Sequence, residues 1–357
     1  MKKKLYLSLL ALPLVLSGCI ISFSGSKPAA PPDGGFYVSV DKGETWQQKT
    51  SIYQLGGNVA SFNNEDVTVM TVDPEDNQTI YVGTVASGIF FTYSSGDGWY
   101  QTLNGNGKIN AIAVNPKDSC TLYAAIGNRV YKSTDCSRHW SYKLIDARPD
   151  PNNIINALAV DPFNPSTIYA GSSGTSLYRS DDGAESWRAV KQFNNNIVKI
   201  LANPKKDGVI YVATQSSGIF RTQNRGADDW PQMISQDVSS AYQNMLNYQD
   251  LKLDPTTDDG LLYVNGYGLF RSPDGGRNWQ NLKLLTPPNS VTVYTAAINP
   301  TNEKEIYYFA DKTFYRSEDG GINWVTKSLP STRSPLYLYL NTSSANILYL
   351  GVFKTQS

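Results

Sequence analysis

The chain has 357 residues, 40% hydrophobic, 12% aromatic and 17% charged, with 31 basic and 31 acidic side chains and a single histidine, His139. That composition excludes a disordered chain or a coiled coil, and the balanced charge gives no basic excess for nucleic acid. A multi-histidine metal site is excluded, any histidine-dependent nucleophile would have to use His139, and no phosphate-cradling motif or other cofactor signature occurs.

Residues 2–4 are lysines, an apolar run follows over residues 5–16, and Leu16-Ser17-Gly18-Cys19 closes it. This is the layout of a secretory signal, and the apolar run is too short for a comfortable membrane span. The placing of the cysteine resembles the bacterial lipobox. That resemblance implies cleavage after residue 18 and acylation of Cys19, with palmitate-type chains holding the protein to membrane lipid. The expected location is the bacterial cell envelope, at the outer membrane or cell surface. Loss of residues 1–18 removes three lysines, leaving 28 basic against 31 acidic side chains. Residues 19–35, rich in Ser, Gly and Pro, read as the lipidated cysteine and a tether, and residues 36–357 as the folded body.

The body is organised by its tryptophans. Trp46, Trp99, Trp140, Trp187, Trp230, Trp279 and Trp324 recur at intervals of 41 to 53 residues, and no other tryptophan exists. Three are preceded by a full S-x-D-x-G-x-x-W phrase, with Asp41, Asp274 and Asp319 at the acidic position. The phrases before Trp140 and Trp187 keep Asp135 and Asp182 but lose the glycine, and those before Trp99 and Trp230 lose the aspartate. The phrase resembles the Asp-box of bacterial neuraminidase repeats, found in sialidases, sortilin-type receptors, two-propeller xyloglucanases and photosystem assembly-factor propellers. The resemblance implies a structural turn: Asp accepts backbone amides, Gly takes a left-handed conformation, and Trp packs beneath.

A second phrase, Asp-Pro or Asn-Pro, recurs from Asp73-Pro74 to Asn299-Pro300 and closes an alternating apolar strand each time. Two further strands and the segment after each tryptophan make every unit a four-stranded meander, the unit of a propeller blade. The N-terminal unit has strands three and four only, and the C-terminus has strands one and two only, over 336–340 and 347–350. Together they predict one all-β, seven-bladed, monomeric propeller of four-stranded antiparallel blades, its ring closed by both termini. Closure also removes exposed sheet edges.

Cys120 and Cys136 stand eight residues either side of Asn128, at the centre of a predicted hairpin. Facing each other across the ladder in an exported protein, they are expected to form a disulfide.

Turns 1–2 and 3–4 of each blade share one face with the box phrases, so ligands are expected on the opposite face. Its long connections are 51–66, 145–153, 231–249 and 285–290, and the candidate ligand-binding residues are Tyr242, Tyr248 and Tyr267. Asp66, Asp150 and Asp311 lie near that face. The sialidase F-R-I-P phrase is absent. The T-D-I-G-G-x-Y-R phrase of the xyloglucanases is matched only by Thr84-Val85-Ala86-Ser87-Gly88-Ile89-Phe90, which lacks the acid. The expected function is therefore a non-enzymatic, membrane-anchored scaffold binding a protein partner. A glycan-binding or glycoside hydrolase propeller, with a polysaccharide on the same face, is the alternative.

Overall fold

Alternating apolar strands joined by tight turns leave each small sheet with two faces to bury, and in the computed structural model seven such sheets bury them against one another. The structure describes residues 31–53, 60–146, 150 and 152–355. Cys19 and the expected signal lie outside these residues. From the axis outward the first blade is Val67–Val72, Ile80–Thr84, Ile89–Thr92 and Tyr100–Thr102, all antiparallel. Five more follow in chain order, and the seventh is built from Ser334–Leu340 and Leu348–Phe353 at one end of the chain with Phe36–Ser39 and Gln47–Gln48 from the other. The all-β, seven-bladed ring closed by both termini is the fold of this protein.

The closure is a regular ladder, pairing Phe36 with Gly351, Tyr37 with Leu350 and Val38 with Tyr349. Phe36, Val38 and Tyr349 then pack on Val67, Ile80, Phe90 and Trp99 of the first blade, so the seam is cored like any other blade interface. Burying a side chain such as Phe36 contributes about 2 kcal/mol. A further repeated signal lies in the second strands. Tyr81, Tyr123, Tyr169, Tyr211, Tyr307 and Tyr349 occupy equivalent places, each opposite the residue before the box hydroxyl and no more than 2% exposed, whereas the fifth blade has Leu262 there and turns Tyr263 to the other side of its sheet.

The box turns are held by their hydroxyls as much as by their aspartates. In the last, Ser317 Oγ donates to Asp319 Oδ1 at 2.9 Å and accepts from the Gly321 amide at 2.8 Å. Asp319 also accepts the Asn323 amide at 2.8 Å and its side-chain Nδ2 at 2.7 Å. Ser133 and Ser180 anchor their turns likewise, with Ser137 and Ala184 in the left-handed region where the full phrase has glycine. His139 projects from such a turn, its Nδ1 2.6 Å from Asp135 Oδ2 and its side chain 89% exposed.

The two Asn323 bonds pull the Asp319 carboxyl down to about 2, and the hydroxyl and amide of Ser186 lower Asp182 similarly. A carboxyl whose pKa is lower in the folded chain than the unfolded value of about 3.9 stabilises the fold above that value and ceases to do so as pH falls through its folded pKa. Thermal midpoints measured between pH 5 and pH 2 should therefore fall steeply below pH 4, and Asp319→Asn should make that decline shallower.

Three local features depart from expectation. The fourth blade has only three regular strands, Ile197–Ala202, Ile210–Thr214 and Ile219–Thr222. Its box carries one residue more than the others, and Pro231 cannot donate to a ladder, so the segment after Trp230 adds only a single bridge, Phe220 to Gln232. Two elements were not expected: a short hairpin, Ser51–Ile52 with Ala60–Ser61, and a helix, Gln236–Ala241, capped by Ser235.

Cys120 and Cys136 are disulfide-bonded. The register differs from the expected one, since Leu122 pairs with Ser133 and Ile126 with Arg129, which centres the turn between Gly127 and Asn128. Extended unchanged, that ladder would put Asp135 opposite Cys120. Instead Cys136 takes a positive φ of 58° in the box turn and its amide donates to the Cys120 carbonyl at 3.0 Å. The bond closes a loop with a sequence separation of 16, worth about 3 kcal/mol through the unfolded state. Reduction, or Cys120→Ser with Cys136→Ser, is expected to lower the denaturant midpoint without changing the ring's circular dichroism.

Candidate functional site

The innermost strands leave an axial channel. Two adjoining chambers of about 380 and 330 Å3 share Met70, Lys199, Asp250 and Tyr337 in their walls. Lys252 is fixed there by three blades: its Nζ donates to Thr295 Oγ1 at 2.8 Å, Ala296 O at 2.7 Å and Leu338 O at 2.6 Å, and pairs with Asp250 Oδ2 at 3.0 Å. Burial drives the Lys252 pKa below its ordinary value, opposed by the Asp250 charge. Thr295 also donates to Asp250 at 2.7 Å, so this carboxylate is already engaged.

On the face opposite the boxes the three tyrosines separate. Tyr242 and Tyr267 meet edge to face at 5.1 Å and both pack on Phe270, half-buried, at the rim of the fifth blade. Tyr248 begins the innermost strand Tyr248–Asp254 and lines the channel beside Gln249 and Asp250. Burial pushes its hydroxyl pKa well up.

The carboxylates of this face are mostly engaged. Asp66 accepts from Arg333 and, at 2.7 Å, from the Lys354 amide. Asp150 caps a turn through the Asn152 amide at 2.8 Å, and Asp311 sits in a tight turn at φ 49°. Glu65 is different. It enters no ion pair among the described residues, and its Oε1 accepts from Ser87 Oγ at 2.7 Å. Ser87 belongs to the 84–90 loop whose missing acid told against hydrolysis in the sequence. The structure brings a carboxylate to that loop from the connection before the blade. Sequence reading singled out Asp66 and passed over its neighbour, because loop spacing does not show which of two adjacent acids an arginine from the other end of the chain will occupy.

No family model matches this chain. Among curated proteins it is similar to a xyloglucanase of Paenibacillus sp., 26% identical over 287 residues, covering 70% of this chain and 24% of the relative. It is also similar to the xyloglucanase Xgh74A of Acetivibrio thermocellus, 24% identical over 270 residues, covering 71% of this chain and 29% of the relative. The chain thus spans about a quarter of the length of the curated relatives it matches. Among solved structures, the GH74 xyloglucanase from Xanthomonas campestris superposes with a TM-score of 0.66 at 18% identity, covering 81% of this chain and 51% of that one. YCF48 from Cyanidioschyzon merolae superposes with a TM-score of 0.61 at 12% identity, covering 81% of this chain and 96% of that one. These superpositions agree on the propeller. The xyloglucanase matches in sequence and structure overturn the expectation of a non-enzymatic protein-binding scaffold and favour the glycoside hydrolase alternative.

Proposed function

We propose that this protein is a glycoside hydrolase of xyloglucanase type that takes its polysaccharide across the face opposite the box turns. The observation that carries the reading is the similarity to xyloglucanases over 70% of the chain, found by sequence alone. Glycoside hydrolysis uses carboxyl groups as acid, base or nucleophile on either side of the scissile bond. Glu65, held by Ser87 and free of a cationic partner among the described residues, is assigned one of those roles. Tyr242 and Tyr267 supply an aromatic edge against which sugar rings stack. The seven turns are read as Asp-boxes, supported by their Ser/Thr-centred hydrogen bonds. The lipobox-like Leu16-Ser17-Gly18-Cys19 supports a further proposal, that acylated Cys19 tethers the ring to an envelope membrane.

The test is incubation of the purified full chain with xyloglucan, following reducing-end release and retardation in xyloglucan-containing native gels. Cleavage with retardation is the expected result. Absence of both cleavage and retardation would overturn the reading.

A further inference from the structure

Between the fifth and sixth blades, on the same face, lies a pocket of about 200 Å3 whose lining contains no ionisable side chain. Its polar groups are Asn244, Gln249, Asn265, Asn289, Ser290 and Thr292. They come from three separate segments: the turn after the Gln236–Ala241 helix, the first two strands of the fifth blade, and the connection into the sixth. The backbone of Tyr267 links two of these, its amide donating to Asn265 Oδ1 at 3.0 Å and its carbonyl accepting the Asn289 amide at 3.4 Å.

The donors left over are the informative part. Asn265 is only 1% exposed, and its Oδ1 is used twice, by the Tyr267 and Gly268 amides, yet its Nδ2 has no acceptor among the described residues. A buried amide donor without a partner costs about 1–3 kcal/mol, so such a group is explained when something outside the chain accepts from it. Asn244 Nδ2 donates to Asn289 Oδ1 at 3.0 Å, which orients the Asn289 side chain, and its amide nitrogen donates to no acceptor among the described residues. Gln249 enters no hydrogen bond within the described residues and lines the axial channel as well as this pocket, joining the two.

We infer that this pocket is a binding subsite for one neutral, hydroxyl-rich ring, a pyranose sugar. Several amides present both donors and acceptors at fixed spacing, which matches vicinal hydroxyls that each do both. The absence of charge offers acidic sugars, phosphates and charged peptide ends no counterion there. The volume, below that of ordinary drug-sized sites, takes one ring and not a chain. The subsite rests on the polysaccharide reading only for the source of that ring, which is either a branch sugar of a bound chain or a free monosaccharide.

The experiment is isothermal titration of the full chain with xylose, galactose and glucose separately, with a xyloglucan oligosaccharide, and with glucuronic acid as the charged control. Two variants accompany it. Asn265→Asp keeps the oxygen that caps the Tyr267 turn but replaces the donor with a carboxylate oxygen and adds a buried negative charge, so its thermal midpoint is measured beside its affinity. Gln249→Ala alters an exposed side chain with no structural bond. Each should weaken binding of a neutral sugar about tenfold, the scale of one or two lost hydrogen bonds, with glucuronic acid not bound by any form. Binding of the oligosaccharide alone would identify a branch-sugar subsite, and binding of a monosaccharide a free-sugar site. Unchanged affinity in Gln249→Ala, or no neutral sugar bound, would overturn the inference even if xyloglucan is cleaved. Sugar binding lost in both variants without any cleavage would uphold the subsite and overturn the hydrolase reading instead.

Discussion

Glu65→Gln is expected to reduce xyloglucan hydrolysis about 10²–10⁴-fold, the usual contribution of a positioned acid or base, while leaving the thermal midpoint unchanged. Glutamine has the size of glutamate and keeps a carbonyl oxygen to accept the Ser87 hydroxyl, so the 84–90 loop loses no bond. No cation depends on this carboxylate among the described residues, so neutralising it strands no partner. The variant therefore separates chemistry from folding. Reducing-end assays and xyloglucan retardation measured together decide the matter: lost turnover with retained binding supports the assignment, and full activity removes Glu65 from the reaction.

Arg333→Ala should produce the largest loss of stability, about 2–3 kcal/mol, below the full cost of breaking a buried ion pair because its carboxylate partners are only half-buried. Arg333 is 9% exposed and pairs with Asp66 and Asp33, while its Nη2 donates to the Asn64 carbonyl at 3.0 Å and side-chain oxygen at 2.7 Å. It thus binds the entry of the first blade and the segment before Phe36 to the C-terminal strands. Burial by itself would raise the Asp33 pKa, but the hydroxyl and amide of Thr332 and the Arg333 charge hold it below the usual carboxylate range. Removing the guanidinium leaves Asp33 and Asp66 half-buried without it. A lysine should recover only part of the loss, since it lacks the fork that reaches carboxylate and carbonyl together. Chemical denaturation of both variants measures this directly.

How much of this was visible in the sequence depended on the range of the interaction. The seven tryptophan turns were legible because their chemistry is confined to eight residues. The ring closure was legible because each terminus supplied the strands that the other lacked. The tyrosine shared by six of the second strands was equally present in the sequence, from Tyr81 to Tyr349, and passes unnoticed unless the repeats are aligned on the turns that precede those strands. The Arg333 cluster was not legible, since it joins Asp33 and Asp66 to the far end of the chain and no local pattern announces it. The amide pocket was hidden for the same reason: Asn244, Asn265 and Asn289 look like ordinary loop residues until three connections converge. Tyr248 lies only six residues from Tyr242, yet it went to the channel when Tyr242 went to the rim, because a strand starts between them.

The seam in the last blade also governs the order of events during synthesis. Phe36–Ser39 leaves the ribosome six blades ahead of its ladder partner Leu348–Phe353. Until residues 334–353 are made the chain is an open arc with two adhesive ends, and the longest-range pairing among the described strands waits for the six blades it spans. A message truncated before codon 334 would yield six blades that cannot shut. The strands within residues 334–353 therefore act as a clasp: until they are made, Phe36–Ser39 has no partner along its inner edge.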